Sequence, residues 1–353
     1  MYRILIRPLL FLLPPETIHR LLVSFLRIAF KIPGIRYLVM RIYHIADPTL
    51  QTEFLGMTFS NPVGLAAGFD KNAEAYREFH AFGFSFIEVG TVTPKGQPGN
   101  PRPRSFRIKK DRGLINRMGF NNHGAEAAAA KLRTKRPKGL VLGGNIGKNT
   151  QTPNEEAVSD YEAVFRTIYN GVDYFVVNVS CPNITDLHKL QDQESLELIL
   201  GRVLEIRKEM PVSKPVLLKI SPDLNSKQLD ETLEIVDRLK LDGIVANNTT
   251  ITREGLKTPA EEIRAIANGG MSGAPITKRS LEVVRHIHEK TGGKLPIIAV
   301  GGIMTVQDAM NMFDAGATLI QLYTGFIYEG PALAKRINRA LLKSRSQQGS
   351  QTT

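Results

Sequence analysis

The feature that most constrains the fold is a repeat of pattern, with no repeat of residues. From about position 60 the chain alternates short apolar runs with amphipathic stretches. Eight runs read as strands: 63–66, 86–89, 140–145, 174–178, 216–220, 243–246, 297–300 and 319–322. Between them 126–133, 155–169, 195–208, 226–239, 278–290 and 306–313 read as helices. Parallel strands need a crossover, and a helix is the usual one. Eight such units fit a closed (β/α)8 barrel, the TIM-barrel form of the α/β class, better than an open sheet. In such a barrel the chemistry gathers where strands end.

Those ends are rich in polar groups. The first carries Ala67-Gly68-Phe69-Asp70-Lys71-Asn72, the second Gly90-Thr91-Val92-Thr93-Pro94, the third Gly144-Asn145-Ile146-Gly147-Lys148-Asn149. The fourth is Asn178-Val179-Ser180-Cys181-Pro182-Asn183, and the fifth ends on Lys219. Asn247-Asn248-Thr249-Thr250, Gly301-Gly302 and Tyr323-Thr324-Gly325 complete the set. Turn chemistry accounts for any one of them. It does not account for ligand-like groups at all eight.

Cys181 is the only cysteine, so no internal disulfide forms and a reducing compartment is expected. A lone cysteine usually packs as a small hydrophobe. Here carboxamides flank it, which offer donors and acceptors to a planar heterocycle, and a thiol beside them can take a proton. No metal site is expected. Glycines after the seventh and eighth strands, with a third glycine-rich turn at 269–273, suit a phosphate. Asn149 follows Gly147-Lys148 where a P-loop needs Ser or Thr, and no GxGxxG follows a strand. A mononucleotide such as FMN is the group this combination suggests. Lys219 would then temper charge on the reduced ring, with a Schiff-base lysine or a plain surface charge as the alternatives.

The chain is 42% hydrophobic and 23% charged, the composition of a globular protein. Of its net charge of +12, half falls in residues 1–45, where seven Lys and Arg face the single acid Glu16. Pro14-Pro15 breaks the first apolar run, so neither side reaches a membrane span, and no cleavable signal is evident. Residues 16–31 read as a helix with Glu16, Arg20, Ser24, Arg27 and Lys31 on one narrow face, apolar residues around the rest, and His19 at the edge. Such a helix either packs on the main domain or lies in a membrane interface. Residues 344–353 read as a frayed polar tail.

These motifs, together with Asn116-Arg117-Met118-Gly119-Phe120-Asn121 and Phe326 after Gly325, resemble dihydroorotate dehydrogenase, specifically its membrane-associated, quinone-dependent class. The resemblance runs over nearly the whole length. It implies oxidation of (S)-dihydroorotate to orotate in pyrimidine synthesis, one noncovalent FMN, and quinone as final acceptor. It places FMN contacts on Ala67, Gly68, Thr91, Asn145, Asn178, Lys219, Asn247, Gly273, Gly302, Tyr323 and Thr324, with Phe69, Asp70 and Lys71 in the same segment. It places substrate contacts on Lys71, Asn116, Phe120, Asn178, Asn183, Asn248 and Thr249, with Arg117, Met118 and Gly119 between. Cys181 becomes the base, and His19 and Arg107 line a quinone tunnel. The implied organisation is a two-helix membrane-associating extension over 1–45, an FMN-binding barrel over 46–342 and a polar tail over 343–353. The implied location is the cytoplasmic face of the cell membrane, with no nucleic acid and no obligatory protein partner.

Three positions depart from the family pattern. The quinone-dependent class usually has Ser where Cys181 stands, and Cys is the habit of the soluble, fumarate-linked class. Ile184-Thr185-Asp186-Leu187 replaces a frequent Pro-Gly in the loop that follows. Asn247 replaces an expected Thr. The N-terminal segment favours quinone, because access to the flavin selects the acceptor. A flavin barrel that reduces uridine in tRNA is also basic and also carries an Asn…Cys-Pro strand end. It would need a further basic module, for which the C-terminal tail is too short.

Overall fold

The computed structural model describes residues 2–180 and 193–351. Eight parallel strands close into a barrel: β1 (Val63–Leu65), β2 (Phe86–Val92), β3 (Val141–Ile146), β4 (Tyr174–Asn178), β5 (Val216–Ile220), β6 (Gly243–Ala246), β7 (Ile297–Val300) and β8 (Leu319–Leu322). Each pairs with its neighbours in sequence, and β8 pairs with β1. The strands are short and β-branched, which suits a surface buried on both faces.

Alternation sorts their side chains into two cores. Outward residues such as Ile87, Val177, Leu218 and Ile320 pack beneath the helices. Inward residues Phe86, Val141, Tyr174, Val176, Leu217, Val245, Ile298 and Leu319 fill the barrel. Phe86 fits because Gly64 faces it; a Cβ there would lie 2.4 Å from the ring. The antiparallel pair Thr52–Phe54 and Met57–Phe59 closes the barrel floor, with the Phe59 ring edge-on to Phe86 at 5.2 Å.

The helices follow their local signals. Ser226–Leu239 opens on a capping box, in which Asn225 accepts from the Gln228 N–H and the Gln228 side chain accepts from the Asn225 N–H. Val306–Asp314 opens the same way on Thr305 and Asp308. The helix Ala332–Gln351 carries regular structure through most of the segment expected to be a frayed tail. Leu333, Ile337 and Leu341 anchor its first turns, and beyond them Arg345 donates to the Thr49 carbonyl.

Two further corrections concern the barrel mouth. The segment expected as a third glycine-rich turn is a strand, Gly270–Gly273. It pairs with Gly113–Asn116, which pairs in turn with Ser105–Ile108, making an antiparallel lid sheet. The N-terminal extension also holds more than two helices. After the first turn come α1 (Arg7–Leu10), α2 (Pro15–Ala29) and α3 (Ile35–Tyr43), the last starting after Gly34 at φ +85°. Among the described residues no single helix is long and apolar enough to cross a membrane, although Tyr2–Leu10 and Pro15–Ala29, bent by 111°, reach that length and composition together.

Candidate functional site

Strand alternation places one polar layer above the apolar filling of the barrel. The next inward positions after Phe86, Val176, Leu217 and Leu319 are Glu88, Asn178, Lys219 and Gln321. Register sets Asn178 of β4 beside Lys219 of β5. Asn145 joins the layer from β3 and Asn247 from the end of β6. All six are buried.

The layer is internally bonded. Asn145 Nδ2 donates to Glu88 at 2.6 Å, and its Oδ1 accepts from the Thr91 hydroxyl and from Asn178 Nδ2. Asn248 Nδ2 donates to Asn178 Oδ1 at 3.2 Å and to Ser180 Oγ at 3.1 Å. Gln321 Nε2 donates to the second Glu88 oxygen at 2.6 Å, and Lys219 Nζ lies 3.8 Å from the first.

Above this layer lies a cavity partly open to solvent. Most expected site residues line it: Ala67, Gly68, Lys71, Thr91, Asn116, Met118, Gly119, Phe120, Asn178, Lys219, Asn247, Asn248, Thr249, Gly273, Gly302, Tyr323 and Thr324. Lys71 Nζ donates to Asn121 Oδ1. Gly302 takes φ +72°, and a Cβ on it would lie 2.3 Å from Thr277 Cα, so only glycine brings this backbone to the cavity wall. Burial alone pushes the Tyr323 hydroxyl up to about 12, so it stays neutral.

Other expectations are redirected. Asn145 sits beneath the cavity lining and orients Thr91 and Asn178. Asp70 serves the backbone: its carboxylate accepts from the Glu74 and Ala75 N–H groups at 2.8 Å, and burial raises it to about 6. Phe69 packs edge-on against Tyr323, Phe79 and His19. Arg117 turns away altogether, donating to the carbonyls of Ile266, Asn268 and Pro103 and lying over Phe106. Cys181, Asn183 and 184–187 lie outside the described residues. Glu88 and Gln321 were missed, as were Ser272 in the cavity wall and Ser180 beside Asn248. Alternation from Phe86 would have found Glu88.

A second cavity adjoins the first, sharing Gly68, Lys71, Asn116, Met118 and Tyr323. Its outer wall is the polar stripe of α2, with Glu16, His19, Arg20, Ser24 and Arg27. Glu16 and His19 turn toward the protein, Arg20, Ser24 and Arg27 rim the cavity while remaining exposed, and Leu21, Leu22, Phe25 and Ile28 face outward. Arg104, 4% exposed, clamps Glu16 through two nitrogens at 2.8 and 3.0 Å, and this bond holds the carboxyl below its usual range. His19 lines the cavity, 5.1 Å from the Phe69 ring. Burial, then the Lys71 charge, lower its imidazole to about 4. Arg107 is not in this wall. It donates to the Leu13 carbonyl at 2.6 Å and lies over Phe11, bracing α1 instead.

The residues present fit a flavin mononucleotide. Asn247 Nδ2 and Thr249 Oγ1, both facing the cavity lining, are buried with no hydrogen-bond partner among the described residues. Such atoms call for a polar ligand. A cation, carboxamides and glycine backbone on one wall match a heterocycle that carries a phosphate.

The chain is similar to several known proteins. A family profile described as dihydroorotate dehydrogenase matches residues 49–344. A relative from Christiangramia forsetii, named dihydroorotate dehydrogenase (quinone), is 51% identical over 343 residues, covering 97% of this chain and 99% of its own. One of the same name from Rhodococcus opacus is 48% identical over 343 residues, covering 97% and 94%. A crystal structure of DHODH in complex with ferulenol from Eimeria tenella matches with a TM-score of 0.85 at 35% identity, covering 95% of this chain and 92% of that one.

Proposed function

The chain belongs to the dihydroorotate dehydrogenase family, and on that premise we propose that it oxidises (S)-dihydroorotate to orotate in pyrimidine synthesis, with one noncovalent FMN and a quinone as final acceptor. The observation that carries this reading is the joining of two cavities: a polar one at the barrel mouth, and a second one under α2. FMN, when bound, supplies the hydride acceptor. Asn178, Asn247, Lys219 and Thr91 would hold its ring, with Asn145 orienting Thr91 and Asn178 from beneath, and Gly273, Gly302, Tyr323 and Thr324 would hold its phosphate. Lys71, Asn116, Asn178, Asn183, Asn248 and Thr249 would orient the substrate, whose carboxylate suits the lysine.

Cys181 would remove the C5 proton as hydride leaves C6. Its chain neighbour Ser180 lies at the polar layer, held by Asn248, which supports that placement. The α2 cavity would admit quinone, and the exposed apolar side of α2, with Ile4, Leu5, Leu9 and Leu12 beside it, would dock on the cytoplasmic face of a membrane. Residues 1–45 would form that extension and 46–342 the catalytic barrel. The soluble-class thiol favours a second reading, with fumarate as acceptor. Anaerobic dihydroorotate should bleach the flavin of the purified protein. Quinone, and not fumarate, should then restore its absorbance; the reverse selects the second reading, and no bleaching removes both.

A further inference from the structure

We propose that Glu88, buried beside Lys219, tempers the charge the cavity presents to a bound flavin. The inference rests on the flavin reading above. Glu88 is fully buried on β2, one inward step above Phe86, and does not itself line the cavity. Lys219 does line it, and is 5% exposed. Their charged groups are 3.8 Å apart.

The hydrogen bonds around Glu88 fix its form. Asn145 Oδ1 is already committed to Thr91 and Asn178, so Asn145 can turn only its amide donor toward Glu88. Gln321 also turns its donor there, to the other oxygen. Two donors on two oxygens are what an ionised carboxylate accepts. A lone ammonium would be costly to bury in the barrel, and the carboxylate behind it offsets that cost. A flavin on this wall therefore meets a near cation tempered by a nearby anion. Unopposed, Lys219 would favour the reduced, more negative flavin more strongly and raise its potential.

The test is the midpoint potential of the bound flavin, read by spectroelectrochemistry on the full chain. Glu88→Gln should bind reduced flavin at least tenfold more tightly relative to oxidised, a positive displacement of about 30 mV for a two-electron couple. Glu88→Asp, which keeps the charge, should stay near the parental value. Should Glu88→Gln fail to fold, Glu88→Gln combined with Lys219→Gln leaves no lone buried charge. That pair should lie positive of Lys219→Gln alone by the same amount. A parent protein without flavin removes the premise and the proposal with it. Bound flavin with an unmoved or more negative potential in either comparison overturns the proposal alone, as does a Glu88→Asp potential that moves with Glu88→Gln.

Discussion

At the scale of single residues, the thiol and the imidazole carry the most consequential expectations. Cys181 is proposed as the base, and oriented base catalysis contributes about 10²–10⁴-fold. Cys181→Ala should therefore slow flavin reduction by dihydroorotate by at least that factor in stopped flow, while retaining FMN and orotate binding. Cys181→Ser should keep measurable activity with its optimum moved to higher pH, since a hydroxyl is harder to deprotonate than a thiol of ordinary pKa about 8.5. Parental rates in Cys181→Ala would reduce the thiol to packing. His19 bears on stability. Its folded value of about 4 lies below the ordinary 6.5, so the unfolded chain takes the proton first. The stabilisation is whole above the ordinary value and is lost as pH falls toward the folded one. His80, also held at about 4 by burial, adds to the loss in that window. Asp70, raised to about 6, opposes it by holding a proton in the folded state first. His19→Asn should flatten part of the acid loss of stability in urea titrations at neutral pH and at about pH 5. An unchanged acid slope would count against burial as the cause.

At the scale of elements, α2 separates two surfaces that an amphipathic projection merges. Its polar stripe reads naturally as the solvent face, yet Glu16 is tied to Arg104 and His19 sits against Phe69. Val23 and Leu26 pack on the core, and the remaining apolar side chains look outward. A helix that ties Glu16 and His19 to the protein and leaves Leu21, Leu22, Phe25 and Ile28 outward beside exposed arginines suits a membrane interface. Removing residues 1–40 should leave dihydroorotate able to reduce the flavin, because the strand-end residues lie beyond the cut. Quinone turnover should fall steeply. Sedimentation with vesicles containing phosphatidylglycerol should be lost too, and in the full chain it should weaken as salt rises. Unimpaired quinone turnover by the truncated protein would point back to Cys181 and fumarate.

At the scale of the whole molecule, stability and chemistry occupy different layers of one barrel. Phe59 closes the floor, fully buried, with the Phe86 ring between it and the polar layer that holds Lys219. Phe59→Ala should cost about 3–5 kcal/mol in urea denaturation. The flavin spectrum and dihydroorotate rate of the remaining folded protein should not change. A shifted spectrum would mean that floor and mouth are not independent.

The amino-acid sequence by itself determined the strands. The bounds of β4 through β8 are legible to the residue, because short β-branched runs between helical periodicities have one reading. The strand-end motifs followed, and most of their residues do converge on one cavity. Tertiary structure alone decided what depends on contacts between distant segments. The lid strand Gly270–Gly273 forms because Gly113–Asn116 is there to pair with it, although its own residues signal a turn. Arg117 sits in a site motif but finds two of its three carbonyl partners about 150 positions away, beyond the reach of any local signal. The polar stripe of α2 meets the barrel through Arg102, Arg104, Phe69 and Glu74, all more than forty positions away in sequence. Periodicity is a local property and can be read along the chain. Which face a partner covers is set by packing, and packing is decided in three dimensions.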